Sequence, residues 1–343
     1  MEENHQRRPR YRGTHPRKFG EKYKELQPEK YADDVAKVIS RGSTPAGMHR
    51  SICVQEILDF LQIQPGQQGL DATLGYGGHS AAMLERLQGS GHLTALDVDS
   101  LELPRTRARL ADLGYGEDIL TVRQMNFSDI DRLDGKFDFV LADLGVSSMQ
   151  IDNPARGFSF KADGPLDLRL DPNRGESAAV RLASMTEDDI LGMLEENADE
   201  PYAAEIAHAI TVARKRGRVI ETTLQLENIV RDALFTLPKD SRDEEIKKAS
   251  RRTFQALRID VNNEFEVLYD FLEKLPGILA PGGRVAILTF HSGEDRLVKK
   301  SFQQFFRSGD YAEIAPDPIR PTPEECTANP RAKSAKLRWA IRA

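Results

Sequence analysis

Three acidic residues at the ends of apolar runs carry most of the chemistry legible in this 343-residue chain. Asp71 opens the stretch Asp71-Ala-Thr-Leu-Gly75-Tyr-Gly77-Gly78-His79-Ser80, Asp97 closes Leu93-Thr-Ala-Leu-Asp97, and Asp143 closes Phe137-Asp-Phe-Val-Leu-Ala-Asp143. A glycine turn between strand and helix lets the backbone approach a ligand where a Cβ would collide. A carboxylate ending the next strand can accept hydrogen bonds from both hydroxyls of a ribose. Together these features indicate a nucleoside-bearing cofactor. A dinucleotide site requires Gly-x-Gly-x-x-Gly, with the third glycine seating the helix, and that place is Ser80 here. The turn also lacks the Lys of a phosphate loop. An acid ahead of the glycines suits a ligand with a cationic amino-acid end and no phosphate, namely S-adenosylmethionine. Asn126-Phe127-Ser128 follows the third apolar run, where Phe127 could lie against an adenine ring.

These residues need elements to position them. Apolar runs at 69–71, 92–97, 119–124, 137–143 and 281–290 alternate with helical periodicities at 80–87 and near 100–113, which predicts an α/β fold with a parallel, doubly wound sheet. The rhythm breaks over residues 151–249, where Gly and Pro clusters precede helical segments. One opens at the capping box Thr186-Glu-Asp-Asp189, and another runs from Ala203 to Lys215 with Gly217 as its stop. This stretch reads as a mostly helical insertion for substrate recognition, between core segments 48–150 and 250–343. Residues 1–47 read as a basic extension with one helix bearing Tyr31, Val35, Val38 and Ile39. A further helix is expected from Ala249 to Leu275, burying Phe254, Leu257, Val261, Phe265, Leu268 and Leu272.

Composition bounds the partners. A net charge of −6 with 30% charged residues argues against a protein that coats nucleic acid nonspecifically, yet both ends are locally basic. Residues 7–24 hold eight Arg and Lys against Glu21, and Arg331, Lys333, Lys336, Arg338 and Arg342 follow near the other end. Either run could meet a polyanion or simply be solvated. Cys53 and Cys326 stand far apart, in no metal or disulfide pattern, which suits a reducing cytoplasm. No apolar run is long enough to span a membrane, and no secretory or clear organelle-targeting pattern opens the chain.

Several motifs together resemble the ribosomal RNA small-subunit methyltransferase H family, MraW-like enzymes that methylate N4 of a cytidine in bacterial 16S rRNA. Besides the glycine turn they are Asp143-Leu-Gly-Val-Ser-Ser-Met-Gln-Ile-Asp152, Arg156-Gly-Phe-Ser-Phe160 and Asp163-Gly-Pro-Leu-Asp-Leu-Arg-Leu-Asp171. Phe254-Gln-Ala-Leu-Arg-Ile259 with Val261-Asn262, Phe290-His-Ser-Gly-Glu-Asp-Arg296 and Asn329-Pro-Arg-Ala-Lys-Ser-Ala335 extend the likeness. The resemblance implies a Rossmann-like methyltransferase sheet using S-adenosyl-L-methionine, with cofactor contacts at Gly77, Gly78, His79, Asp97, Phe127, Asp143 and Gln150. It further implies 16S rRNA as partner, in a small-subunit particle; the sequence leaves a homodimer open and points to no membrane. The basic extension, Gly293 and Ala198-Asp-Glu-Pro depart from the family's usual pattern.

Such a reaction is mostly positioning, because cytosine N4 is a weak nucleophile that needs alignment, acceptors for its hydrogens and an exit for one proton. Asp143 is the first candidate acceptor, with Ser147, Ser148 and Gln150 as polar neighbours; the other reading of Asp143 is a helix cap or cofactor ligand. Phe158 and Phe160 could stack on a base, worth roughly 1–3 kcal/mol each, or could anchor the insertion. Arg251, Gln255, Arg258 and Asn262 share a helix face that lines an RNA or cofactor cleft or is merely solvated. Asp163, Asp167 and Asp171 read as loop caps, with Arg169 as an ion-pair partner and no metal. Ser292-Gly-Glu-Asp295 reads as a capping box, and His79 and His291 as either packed residues or proton carriers. The rival functions are an amino methyltransferase acting on DNA or another RNA, and a noncatalytic RNA-binding assembly factor.

Overall fold

The apolar runs become strands because both of their faces are covered. In β4, Phe137–Asp143, Phe139 and Leu141 point into one layer while Val140 and Ala142 point into the other, all fully buried. The computed structural model describes residues 51–343; the basic extension and its expected helix lie outside the described residues. Strands β1 (Gln68–Asp71), β2 (His92–Asp97), β3 (Leu120–Gln124), β4 and β5 (Leu279–Thr289) are parallel, in the order β3-β2-β1-β4-β5. β7 (Lys336–Arg342) then adds antiparallel to β5, and β6 (Tyr311–Ile314) closes that edge.

Helices α1 (Val54–Leu61), α2 (Gly78–Leu87) and α3 (Leu103–Asp112) pack on one face, as Ile57, Leu61, Met83, Leu84, Leu87 and Leu110 share a core with Leu93, Phe139 and Leu141. The other face is covered by two later helices through Leu268, Phe271, Leu272, Val298 and Phe302. Strand order reverses between β1 and β4. Ligands of such sheets bind in the crevice at that reversal, beyond the carboxyl ends of the strands. The chain places Asp71 and Asp143 there.

After the short α4 (Ser148–Asp152) the chain leaves the sheet for helices α5 (Ala178–Ser184), α6 (Glu187–Ala198), α7 (Ala203–Lys215), α8 (Thr223–Ala233) and α9 (Lys239–Asn262). They enclose a separate core of Leu182, Ile190, Leu194, Ile206, Ile210, Leu226 and Val230. The Thr186 capping box and the 203–215 helix form as read. The expected boundary at residue 249 falls inside α9, whose Phe254, Ala256 and Leu257 still belong to the helical core.

Two expectations are corrected. The single helix over 249–275 is two, because Asn263 adopts the left-handed conformation (φ 49°, ψ 44°) and starts α10 (Glu264–Ile278) in a new direction. Asn tolerates that region better than branched residues do. The break brings Arg258 beside Glu264 in a two-bond ion pair, 2.8 Å each. The second correction concerns α11 (Ser292–Ser308), whose cap lies one residue earlier than Ser292: His291 Nδ1 accepts from the Glu294 N–H, and Glu294 Oε2 accepts from the Phe290 N–H. Asp295 is drawn away by two cations of β7, Arg338 at 2.6 Å and Lys336 at 2.7 Å. Asn263→Val should lower stability by about 1–2 kcal/mol, since the left-handed region penalises a Cβ branch. A denaturant midpoint equal to that of the parent chain would contradict this.

Candidate active site

The turn after β1 is shaped by what its glycines permit. Gly77 has φ 80°, and a Cβ there would sit 2.9 Å from Thr106 Cγ2. α3 grips the turn from outside: Thr106 Oγ1 donates to the Gly75 carbonyl at 2.7 Å, and Arg109 donates to the Tyr76 carbonyl while lying 3.4 Å from the centre of its ring. From beneath, the Gly75 N–H donates to Asp97 Oδ2 at 2.7 Å and the Asp99 N–H to Asp97 Oδ1 at 2.8 Å. Burial pushes the Asp97 carboxyl up to about 6, against the opposing pull of those two N–H groups.

Asp71 does not offer its charge to a ligand as the sequence suggested. It is buried, accepting from Ser80 Oγ at 2.6 Å and from the Thr73 N–H at 3.1 Å. Ser80 therefore stands where a third glycine would because its hydroxyl satisfies this carboxylate. Thr73 in turn accepts from the Asp143 N–H at 2.6 Å, tying the ends of β1 and β4 together.

A narrow crevice runs past the turn, lined by Gly75, Tyr76, Asp97, Asp99, Glu102, Ser147, Met149 and Gln150. Asp97 and Gln150, distant in sequence, both line it. Asp99 was not foreseen. It is buried, and its Oδ2 accepts both from Gln150 Nε2 and from Arg156 Nη1, each at 2.7 Å, while Oδ1 accepts from the N–H groups of Leu101 and Glu102. The only signal for it was an acid two positions after Asp97, in a segment otherwise read as a helix start. Ser147 is spent on structure: its hydroxyl accepts from the Gln150 N–H and Gln150 Oε1 accepts from the Ser147 N–H, the capping box of α4. Ser148 is the first residue of that helix and is half-buried.

The crevice tests the cofactor by its donor set. It contains three carboxylates; Arg156 balances Asp99 and Arg105 balances Glu102, which leaves Asp97 as the acceptor suited to a ribose diol. These residues fit S-adenosylmethionine. Asp143 stands at the end of β4 with its side chain 29% exposed, pushed up to about 6 by burial, and faces His79 Nδ1 at 3.5 Å. Phe127 follows β3, its ring edge-on to Phe271 at 5.1 Å and only partly buried.

Comparison with known proteins decides the class. The family model described as "MraW methylase family" matches residues 46–343. The chain belongs to the MraW methylase family. It is similar to Ribosomal RNA small subunit methyltransferase H 2 of Alkaliphilus metalliredigens, 68% identical over 100% of this chain and 99% of that protein. Ribosomal RNA small subunit methyltransferase H 1 of Lachnoclostridium phytofermentans is 64% identical over 99% and 93%. Both alignments run through the basic extension, so that segment is shared by close relatives rather than peculiar to this chain.

Within this MraW methylase four residues expected to touch RNA are committed elsewhere. Phe158 is buried in the helical core, and the half-buried Phe160 packs on Phe254 at 5.2 Å. Arg258 is neutralised by Glu264. Asn262 is spent on backbone, accepting from the Leu170 N–H and donating to the Leu168 and Arg258 carbonyls, all at 2.8 Å. A mid-helix Asn is explained by that stapling. Asp163 accepts from the N–H groups of Gly164 and Leu224, Asp167 pairs with Arg169, and Asp171 accepts from Ser100 Oγ and the Asn173 N–H.

Three outcomes are expected. Asp97→Asn should weaken cofactor binding about tenfold to a hundredfold by calorimetry, the value of a charge-assisted hydrogen bond. Since only ionised carboxylates serve, wild-type affinity should fall as pH drops through about 6; pH-independent affinity between 5 and 7.5 would count against it. Arg156→Ala should cost about 3–5 kcal/mol, because Asp99 would remain buried without its cation. A melting temperature equal to wild type would refute that.

Proposed function

We propose that this chain methylates N4 of a cytidine in 16S rRNA, with S-adenosylmethionine as methyl donor. The observation that carries the reading is the family match over the whole described region, set on a carboxylate-lined crevice at the sheet reversal. When bound, the cofactor supplies an electrophilic methyl on a sulfonium. The chain's own residues do the rest. Backbone at Gly77, Gly78 and His79 borders the cofactor at the start of α2, Asp97 takes the ribose hydroxyls, Phe127 lies against the adenine and Gln150 holds the far wall. Asp143 is the accessible carboxylate that accepts from the amine.

The helical lobe, residues 151–249, recognises the RNA, and its loop of Phe158 and Phe160 acts by shape, being anchored in the lobe rather than free to stack. The substrate is a small-subunit particle in the cytoplasm, and the working unit is a homodimer. Among the described residues no helix is long and apolar enough to cross a membrane. Nucleoside mass spectrometry of 16S rRNA from a deletion strain is expected to show loss of one N4-methylated cytidine, restored by the intact chain but not by Asp97→Ala. Unchanged methylation in the deletion strain would overturn the proposal. Labelled-cofactor assays on free 16S rRNA, other RNA, DNA and 30S particles separate the substrates, and light scattering reads the dimer.

A further inference from the structure

His79 is placed as part of a proton device. Its Nε2 lies 3.0 Å from the Ile52 carbonyl oxygen, which can only accept, so Nε2 carries the hydrogen and Nδ1 presents a lone pair. That lone pair points at Asp143 Oδ2, 3.5 Å away. With the carboxylate ionised, two acceptors face each other, and one added proton would link them. The exposures divide the labour. His79 is buried, 8% exposed in its side chain, and cannot meet a substrate, whereas the Asp143 side chain is 29% exposed. Among the described residues Asp143 forms no ion pair except with His79.

We propose that His79 is a positioning residue for methyl transfer, acting through Asp143: it gives the proton released by the exocyclic amine a second acceptor, so that the proton leaves the reacting nitrogen. This rests on the methylation reading above. In the reaction the N4 lone pair forms the new N–C bond, and the S–C bond breaks with its electrons left on sulfur. N4 then gives one hydrogen as a proton to Asp143, where His79 Nδ1 shares it. The charged and titratable groups that bear on Asp143 are Asp71 from β1 and Glu294 from α11, which oppose its ionisation, and His79 itself, which favours it. Cys53, just before α1, lies in the field of Asp143.

Two measurements test this. In wild type and Asp143→Asn, the imidazole resonances of His79 are followed against pH by NMR in the unliganded protein, and the substitution is expected to shift their midpoint. His79→Gln keeps an N–H for the Ile52 carbonyl but cannot take up a proton. It should bind S-adenosylmethionine within about threefold of wild type while kcat falls at least about tenfold with a changed pH profile. A His79 titration indifferent to Asp143→Asn, or a His79→Gln enzyme with wild-type kcat and pH profile, would overturn the inference. Failure of the methylation reading is distinguishable, since then wild type itself would form no N4-methylcytidine.

Discussion

The buried Asp99 carboxylate is the constraint on which the site depends. Held by two backbone N–H groups, Gln150 and Arg156, it joins the end of β2 to both the crevice wall and the root of the helical lobe. A carboxylate with so little solvent would be costly without a cation, and Arg156 supplies it. Arg156 passes the constraint on by donating to the carbonyls of Arg169 and Leu170, while Asn262 reaches the same strip of backbone from α9. The loop between the two lobes is therefore pinned from both sides, and Leu168 is held at a positive φ of 64°.

Around this clamp the sheet reversal concentrates negative charge. Asp71, Asp97 and Asp143 are all raised above the ordinary carboxylate range, chiefly by burial. Folding alone gains nothing from such crowding, but a ligand bearing hydroxyls and a cationic end would. Each carboxylate is nonetheless given a distinct duty by its partners. Asp71 is closed off by Ser80, Asp97 supports the turn while edging the crevice, and Asp143 keeps an open side with one histidine behind it. The pairs Arg258–Glu264 and His291–Glu294 hold the α9–α10 and β5–α11 junctions.

Much of this was readable in the chain. The strand at 92–97, the helix at 203–215 and the Thr186 cap follow from short-range pattern, because alternation, capping hydroxyls and glycine stops act within a few residues. The glycine turn and the strand-end carboxylates were likewise visible as local features. Less legible was anything set by a partner distant in sequence: Asp295 looked like a cap until β7 brought Arg338 to it, and Asn263 looked helical until its backbone turned.

The sequence by itself determined the alternating α/β order, the nucleoside-binding turn and membership of a methylase family, because these are written in periodicity and in contiguous motifs. Only the tertiary structure decided which polar residues are free to act. Phe158, Arg258, Asn262 and Ser147 all had residue types suited to binding, and each is consumed by packing or by a hydrogen bond. The physical reason is that a polar group's availability depends on its other neighbours. For Asp71 against Asp143 those neighbours, a serine hydroxyl in one case and an imidazole beside a part-exposed carboxylate in the other, are assembled only by the fold.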